Sequence, residues 1–287
     1  MAVFTVGEEQ KGLRLDVFIT GRMPRLSRAY VQKLSDDGKI VVNGHAQKAG
    51  SKLREGDKVV INYNEAELDN IPHIDLPVLY EDDDCVVINK PAGVLTHSQG
   101  SFQPEATVAT FLRNKLQGME GERAGVVHRL DRATSGVIIG AKNQAALSFL
   151  QKQFALRKVK KTYVAVVQGQ PDPAEAIIDM PIERNPKAPA TFRVGQNGKP
   201  AITHYRMLQA GEHYSLIELK PETGRTHQLR VHLQKIGHPI VGDPLYGDGH
   251  YGDRLFLHAL SLEITVPNRE RKTFTAPLPP EFKEQIK

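Results

Sequence analysis

One stretch constrains this chain most strongly: residues 125–140, with the sequence GVVHRLDRATSGVIIG. Apolar runs at both ends predict two buried strands, and the polar residues between them predict a turn. Gly136 permits a backbone angle that other residues avoid. The turn therefore holds a carboxylate, Asp131, at the end of a sheet element, between two arginines that favour its charged form. A fixed, charged carboxylate is suited to act as a nucleophile or as a base.

Length and composition narrow the classes of protein. The chain has 287 residues, enough for one large domain or two unequal ones, and 40% of them are hydrophobic. No apolar run approaches the roughly 18 residues of a transmembrane helix, so we expect no contact with a membrane. The first residues lack a signal-peptide pattern, and the single cysteine, Cys85, excludes an internal disulfide. These features predict a cytoplasmic protein, and we expect a monomer.

The charge distribution says more than the net charge of +5. Residues 1–58 are rich in lysine and arginine, whereas residues 65–84 contain acidic residues and neither of these cations. This change predicts a basic module at 1–64, an acidic linker at 65–77 and a second domain at 78–287. An unevenly charged, solvated surface is the alternative interpretation.

The basic module carries local signals for two short helices and a small sheet. Helices are predicted over 16–22 and 28–37, the second with Ser27 as N-cap and Gly38 as its stop. A strand at 40–42 leads into Asn43-Gly44, a strong hairpin-turn signal, and another strand is predicted at 58–62.

The second domain alternates predicted strands with predicted helices. Helices are expected at 106–116 and 144–154, the latter capped by Asn143. Strands are expected at 86–88, 126–127, 137–139, 163–167, 202–207, 214–219 and 260–266. Close spacing of strands at 202–219 favours antiparallel pairing, so the predicted fold class is α+β.

Three further motifs follow the same order as those of a known family. They are NKPAGV at 89–94, KKTYVA at 160–165 and PETGRTHQLRVH at 221–232. Together with 125–140 they resemble the RluA family of pseudouridine synthases, over about residues 75–287. The resemblance implies a mixed, mostly antiparallel sheet with a central cleft, and isomerisation of uridine to pseudouridine in RNA. The basic module similarly resembles the alpha-L RNA-binding domain of a small-subunit ribosomal protein.

The resemblance also implies three catalytic residues: Asp131, Tyr163 and Arg230. Arg230 stands in an apolar context that predicts a strand, where an unpaired guanidinium would be costly, so it needs an anion. The resemblance implies that this anion is Asp131. It also implies that Tyr163 stacks on the target uracil, with its hydroxyl available for proton transfer.

Polar residues around these motifs are candidates for substrate contacts. Arg129 is expected to fill the place left by the target base or to hold a phosphate. His128 and Thr134 are expected to organise the loop by hydrogen bonds. Phosphate contacts are predicted for motif residues and for the basic module: Lys160, Lys161, Arg225, Thr226, His227, Arg14, Arg25, Arg28 and Lys33.

We expect neither cofactor nor metal, because the chain has no nucleotide-binding fingerprint and no zinc-type spacing. His227 and His232 lie five apart on a predicted strand, which places them on opposite faces. Ribosomal RNA of the large subunit is the expected partner, and transfer RNA the alternative. Two other functions remain at this point: a non-catalytic RNA-binding or ribosome-assembly factor, and a hydrolase that uses Asp131 with His128 or His227.

Overall fold

The computed structural model describes residues 1–64, 73–97, 105–119, 123–247 and 254–286. The chain forms two compact units, one of Met1–Asp75 with Leu95–Val126 and one of Leu76–Val94 with Val127–Lys287. Most of the predicted acidic linker lies outside the described residues, and the domain boundaries at 64 and 78 stay predictions. No helix in the described residues is long and apolar enough to cross a membrane.

The first unit contains the predicted pair of helices and a four-stranded antiparallel sheet of order β1-β4-β2-β3. Its elements are β1 (Ala2–Thr5), α1 (Leu15–Arg22), α2 (Arg28–Asp36), β2 (Ile40–Val42), β3 (His45–Ala46), β4 (Lys58–Ile61) and α3 (Val108–Arg113). The Ser27 side chain accepts a hydrogen bond from the Tyr30 N–H, which confirms the predicted cap. Asn43 and Gly44 both have positive φ, as the predicted hairpin turn requires.

The second unit is built on a nine-stranded sheet with the order β5-β6-β7-β14-β8-β13-β12-β9, in which β15 also pairs with β14. A separate pair of antiparallel strands, β10 and β11, belongs to the same unit. The strands of the unit are β5 (Val78–Glu81), β6 (Cys85–Lys90), β7 (Ser135–Ala141), β8 (Lys160–Gln168), β9 (Glu175–Asp179), β10 (Ile182–Arg184), β11 (Phe192–Val194), β12 (Ile202–Ala210), β13 (Tyr214–Pro221), β14 (Leu257–Thr265) and β15 (Arg271–Thr275). Its helices are α4 (Gln144–Ala155), α5 (Gln228–Lys235) and α6 (Glu281–Glu284).

Every described pairing in this sheet is antiparallel except that of β7 with β14, so the mixed, mostly antiparallel α+β class is confirmed. Gly136 sits at the parallel contact with φ +113, and a Cβ there would overlap the backbone of Ala259. Glycine is therefore required at this point, as predicted, because any other side chain would separate the two strands.

Two segments that were predicted to be strands are not strands. Residues 126–127 form no strand, so the loop of Asp131 is followed by a strand but not preceded by one. Arg230 lies in helix α5, where every residue from Gln228 to Leu233 is buried. A helix that is buried on all sides shows no amphipathic periodicity. The alternation of polar and apolar residues in this segment is also typical of a strand, which is why a strand was predicted.

Candidate active site

Asp131 lies in the loop before β7, and three hydrogen bonds hold this loop. The ring of His128 accepts from the Ile139 N–H through Nε2, at 3.1 Å. Gly93 N–H donates to the carbonyl of Arg132 at 2.8 Å, and Thr134 N–H donates to the carbonyl of Asp131 at 3.2 Å. The backbone is thus held on both sides of Asp131, and the Asp131 side chain keeps 21% of its surface exposed.

A fully buried lysine supports the same loop from behind. The ammonium of Lys90 donates to the carbonyl oxygens of Pro91 and Val94 at 2.8 Å each, and to that of Arg132 at 3.2 Å. Burial lowers the pKa of Lys90 to about 7, although the charge of Asp131 acts in the opposite direction. The NKPAGV motif therefore joins the end of β6 to the loop of Asp131.

Arg230 has a partner that the sequence did not indicate. Its guanidinium donates to Asp243 twice, at 2.7 Å each, and Nη1 lies 3.4 Å from Oδ2 of Asp131. The predicted contact with Asp131 is present, but Asp243 is the tighter anion. Burial alone would lower the pKa of Arg230, yet the hydrogen bonds to Asp243 raise it. Arg230 therefore remains a cation inside the protein.

Tyr163 occupies the middle of the sheet, where β8 pairs with β13 and β14. Burial raises the pKa of Tyr163, and the charge of Asp131 raises it further. The phenol is consequently protonated at neutral pH. It can present a ring face and an O–H group, but it is not a ready base.

His227 is the N-cap residue of helix α5 and has the left-handed conformation, with φ 56°. Its Nδ1 lies 2.8 Å from the hydroxyl of Tyr246, and its Nε2 lies 3.9 Å from Oδ2 of Asp131. His232 points elsewhere, and its two ring nitrogens contact the Thr203 hydroxyl and the Met180 carbonyl. The predicted placement of these histidines on opposite faces of a strand is wrong, because both belong to the α5 region. The described residues contain no cluster of three or more metal-ligating side chains.

Some of these side chains, His227 among them, meet in one pocket with a volume of about 130 Å³. Asp131, Tyr163 and Arg230 all line it, together with Leu257 and Arg129. A larger pocket of about 480 Å³ shares Tyr163 and Arg129 with the first. The three residues predicted to be catalytic are thus brought together from a loop, a strand and a helix that are far apart in sequence.

A family model described as RNA pseudouridylate synthase matches residues 84–235. The chain belongs to the RNA pseudouridine synthase family. It is 39% identical to an uncharacterized RNA pseudouridine synthase, YlyB, of Bacillus subtilis, over 98% of this chain and 96% of that protein. It is 36% identical to the ribosomal large subunit pseudouridine synthase D of Borreliella burgdorferi, over 97% and 90% of the two chains. The predicted RluA-type enzyme is confirmed.

A solved structure agrees with this assignment. The human RNA pseudouridylate synthase domain containing 1 aligns with a TM-score of 0.60 and 32% identity, covering 72% of this chain and 85% of its own. The two alternative functions, a non-catalytic RNA-binding factor and an unrelated hydrolase, are therefore wrong.

The structure of the synthase shows which of the residues predicted to bind substrate lie near Asp131 and which do not. Six of them line the pocket of Asp131: Arg129, Thr134, Lys161, Arg225, Thr226 and His227. Lys160 does not, and it pairs with Glu263 at 3.4 Å on the exposed face of the sheet. The His128 ring stacks on Phe154 with 4.5 Å between ring centroids and holds the loop, which is the organising role expected for it.

The four cations predicted in the basic module belong to the first compact unit. Arg14 donates to the carboxylate of Asp16 at 3.0 Å, and Arg28 lies 3.4 Å from the same carboxylate. Asp16 is buried, so this pair of arginines compensates an internal charge. Arg25 is exposed and Lys33 partly so.

Sequence reasoning missed two members of the site, Asp243 and Tyr246. Both belong to the GDPLYG segment at 242–247, which carried no element prediction. One signal in the sequence could have found Asp243. Arg230 stands in an apolar context and needs an anion, and Asp243 is one of the few acidic residues flanked by apolar segments in this part of the chain.

Proposed function

We propose that this synthase converts uridine to pseudouridine in large-subunit ribosomal RNA, with Asp131 as its catalytic carboxylate. One observation supports the role of Asp131 above all. Its side chain is partly exposed in a pocket where the cation of Arg230 and the phenol of Tyr163 also lie. The large-subunit synthases among the relatives support the choice of RNA.

The reaction rearranges one nucleotide without any co-reactant. The bond from N1 of uracil to C1′ of ribose breaks, the ring turns, and a bond from C5 to C1′ forms. The hydrogen on C5 leaves and a proton is taken up at N1, so atoms and electrons balance. Asp131 attacks the sugar or the ring, or removes a sugar proton, and Nη1 of Arg230 lies 3.4 Å from its carboxylate. Tyr163 supports the uracil by stacking.

A uridine within folded RNA must leave its stack to reach this pocket. Arg129 is suited to assist, because it is exposed and forms no hydrogen bond or ion pair with the described residues. It either occupies the place of the displaced base or binds the adjacent phosphate.

The neighbouring 480 Å³ pocket has the charge expected for an RNA backbone. Four cations line it: Arg129, Arg157, Lys161 and Arg225. Lys161 and Arg225 donate to backbone carbonyls, and neither pairs with a carboxylate among the described residues. The one carboxylate in the wall, Glu222, is bound by His204 at 2.6 Å.

Burial and, to a smaller extent, the charge of Arg157 together lower the pKa of Lys161 to about 8. A phosphate would compensate these charges and stabilise the protonated lysine. We assign the residues of this pocket to the phosphates beside the target uridine.

The first unit supplies additional RNA affinity in this proposal. Its resemblance to an alpha-L domain and its exposed cations, Arg25 among them, suit contacts with phosphates. Such contacts position the RNA without taking part in the reaction.

The experiment is a map of pseudouridines in total RNA from cells of the source organism with and without this gene. Reintroduced wild-type protein should restore the missing positions, and Asp131→Asn should not. Missing positions confined to transfer RNA would contradict the ribosomal substrate and leave the activity intact. Restoration by Asp131→Asn would contradict the role of the carboxylate.

A further inference from the structure

The hydroxyl of Tyr246 has two hydrogen-bonding neighbours. It accepts from the backbone N–H of Phe192 at 2.8 Å, and it lies 2.8 Å from Nδ1 of His227. The Tyr246 hydroxyl can therefore donate its proton to Nδ1 of His227, provided that Nδ1 itself carries no proton. In a neutral imidazole the proton then resides on Nε2.

The other side of the His227 ring selects the same tautomer. Nε2 lies 3.9 Å from Oδ2 of Asp131. A lone pair at Nε2 would face a carboxylate charge, whereas an N–H group there is attracted to it. Both contacts of the ring thus favour a proton on Nε2.

The position of the ring is itself constrained. The edge of Phe192 packs against His227 with 5.6 Å between centroids, and Tyr246 packs on the ring similarly at 5.6 Å. The Arg230 guanidinium lies over the Tyr246 ring, with Cζ 5.0 Å from the centroid of that ring. Tyr246 therefore touches both donors that approach Asp131.

Those two donors converge on one oxygen atom. Nη1 of Arg230 is 3.4 Å and Nε2 of His227 is 3.9 Å from the same atom, Oδ2 of Asp131. We infer that His227 is a positioning residue which, held in the Nε2–H tautomer by Tyr246, fixes Oδ2 together with Arg230 and leaves Oδ1 as the oxygen that reacts with the nucleotide. This inference rests on the proposed role of Asp131. Contacts of this kind commonly shorten when substrate binds.

The first test reads the tautomer directly and needs no activity. Two-bond nitrogen–proton NMR spectra of the uniformly ¹⁵N-labelled full chain at pH 7, with His227 assigned through His227→Asn, should show a neutral ring protonated on Nε2. A ring protonated on Nδ1, or a doubly protonated ring, would overturn the inference.

The second test is kinetic and uses single turnover at saturating RNA. His227→Asn can still reach Tyr246 but has no donor toward Asp131, whereas the longer His227→Gln can place its amide N–H near the former Nε2. We expect His227→Asn to lose about 10- to 100-fold in rate, as for a hydrogen bond to a charged group, with RNA affinity nearly unchanged. His227→Gln should recover most of that loss. His213→Asn, whose side chain is 77% exposed, is the matched control and should match wild type.

Tyr246→Phe provides a pH readout. Burial lowers the pKa of His227, Arg230 and Arg129 act in the same direction, and the carboxylates of Asp131 and Asp243 act against them. Without the phenol hydroxyl as its hydrogen-bond donor, Nδ1 is free to take a proton, which shifts this balance toward the protonated ring. An imidazolium would neutralise Asp131, so the acid limb of the rate profile should move to higher pH. An unchanged limb would contradict the role of Tyr246.

The outcomes separate this inference from the proposed function. Turnover by Asp131→Asn would remove the proposed function, while the NMR spectrum would still report the tautomer. An inactive Asp131→Asn beside a fully active His227→Asn would overturn the inference alone. Equal losses in His227→Gln and His227→Asn would also overturn it.

Discussion

Arg230 binds the carboxylate of Asp243 through two hydrogen bonds of 2.7 Å each. Both side chains are buried, at 5% and 0% exposure. The same carboxylate accepts the N–H groups of Leu245 and Tyr246. Asp243 thus orients the guanidinium so that Nη1 remains directed at Asp131 before any RNA arrives.

The first prediction follows from that pair. Asp243→Ala strands the buried charge of Arg230 and should lower the free energy of unfolding by about 3–5 kcal/mol. Urea denaturation measures it. Arg206→Ala is the control, because Arg206 pairs with Glu218 at an exposed site and should cost no more than about 1 kcal/mol. A loss in Asp243→Ala no greater than in the control would contradict the importance of burial.

Asp131→Asn should abolish catalysis and spare binding. The change preserves shape but removes the charge, so turnover should fall by at least about 10²–10⁴-fold, the range for losing a positioned proton-transfer group. Filter binding should give RNA affinity close to wild type. Asp75→Asn, with its side chain 93% exposed, is the control. Appreciable turnover by pure Asp131→Asn would contradict the prediction.

Two substitutions separate the roles of the Tyr163 ring and hydroxyl. Tyr163→Leu removes the aromatic face and should cost about 1–3 kcal/mol of stacking, read as weaker binding or a slower single-turnover rate. Tyr163→Phe keeps the face, so it should retain much of that stabilisation. A Phe variant as slow as the Leu variant would show that the hydroxyl, not the ring, dominates.

Stability should fall with acid in a way that depends on His128. Burial lowers the pKa of His128 from 6.5 to about 3, and Lys161 adds to the effect. Between these values the unfolded chain binds a proton that the folded chain does not, so unfolding becomes easier as pH falls from 6.5 toward 3. The stability advantage of wild type over His128→Gln should shrink across that window. A constant difference in denaturation midpoint from pH 7 to 4 would contradict it.

The salt dependence of RNA binding should report on the first unit. Replacing Arg25 and Lys33 with Gln should weaken binding and reduce the slope of log affinity against log salt by about 0.7–0.9 per lost phosphate contact. The rate at saturating RNA should not change. Removing two exposed lysines, Lys187 and Lys283, is the charge-matched control. Equal slopes in both double variants would show that Arg25 and Lys33 do not touch RNA.

Predictions that depend only on residues close together in the sequence are confirmed. Helix α2 begins after Ser27 and helix α4 after Asn143, as predicted, because an N-cap bonds to an N–H only three residues away. Predicted strand segments lie within β6, β7, β8, β12 and β13, and the segment predicted at 260–266 overlaps β14 up to its end at Thr265. The opening strand β1 carried no prediction, since it is short and half exposed and gains its partners only from distant β4.

The sequence alone determined the family, the α+β class and the three residues placed at the pocket. Motif order and periodicity are properties of neighbouring residues, so they can be recognised without the tertiary structure. Only the tertiary structure decided that Arg230 is helical and bound to Asp243, that Lys90 supports the Asp131 loop, and that Tyr246 contacts His227. The helical conformation of Arg230 could not be predicted because complete burial removes the helical periodicity of the sequence. The other contacts join residues whose meeting depends on packing of the whole sheet and its helices, and no local preference along the chain encodes it.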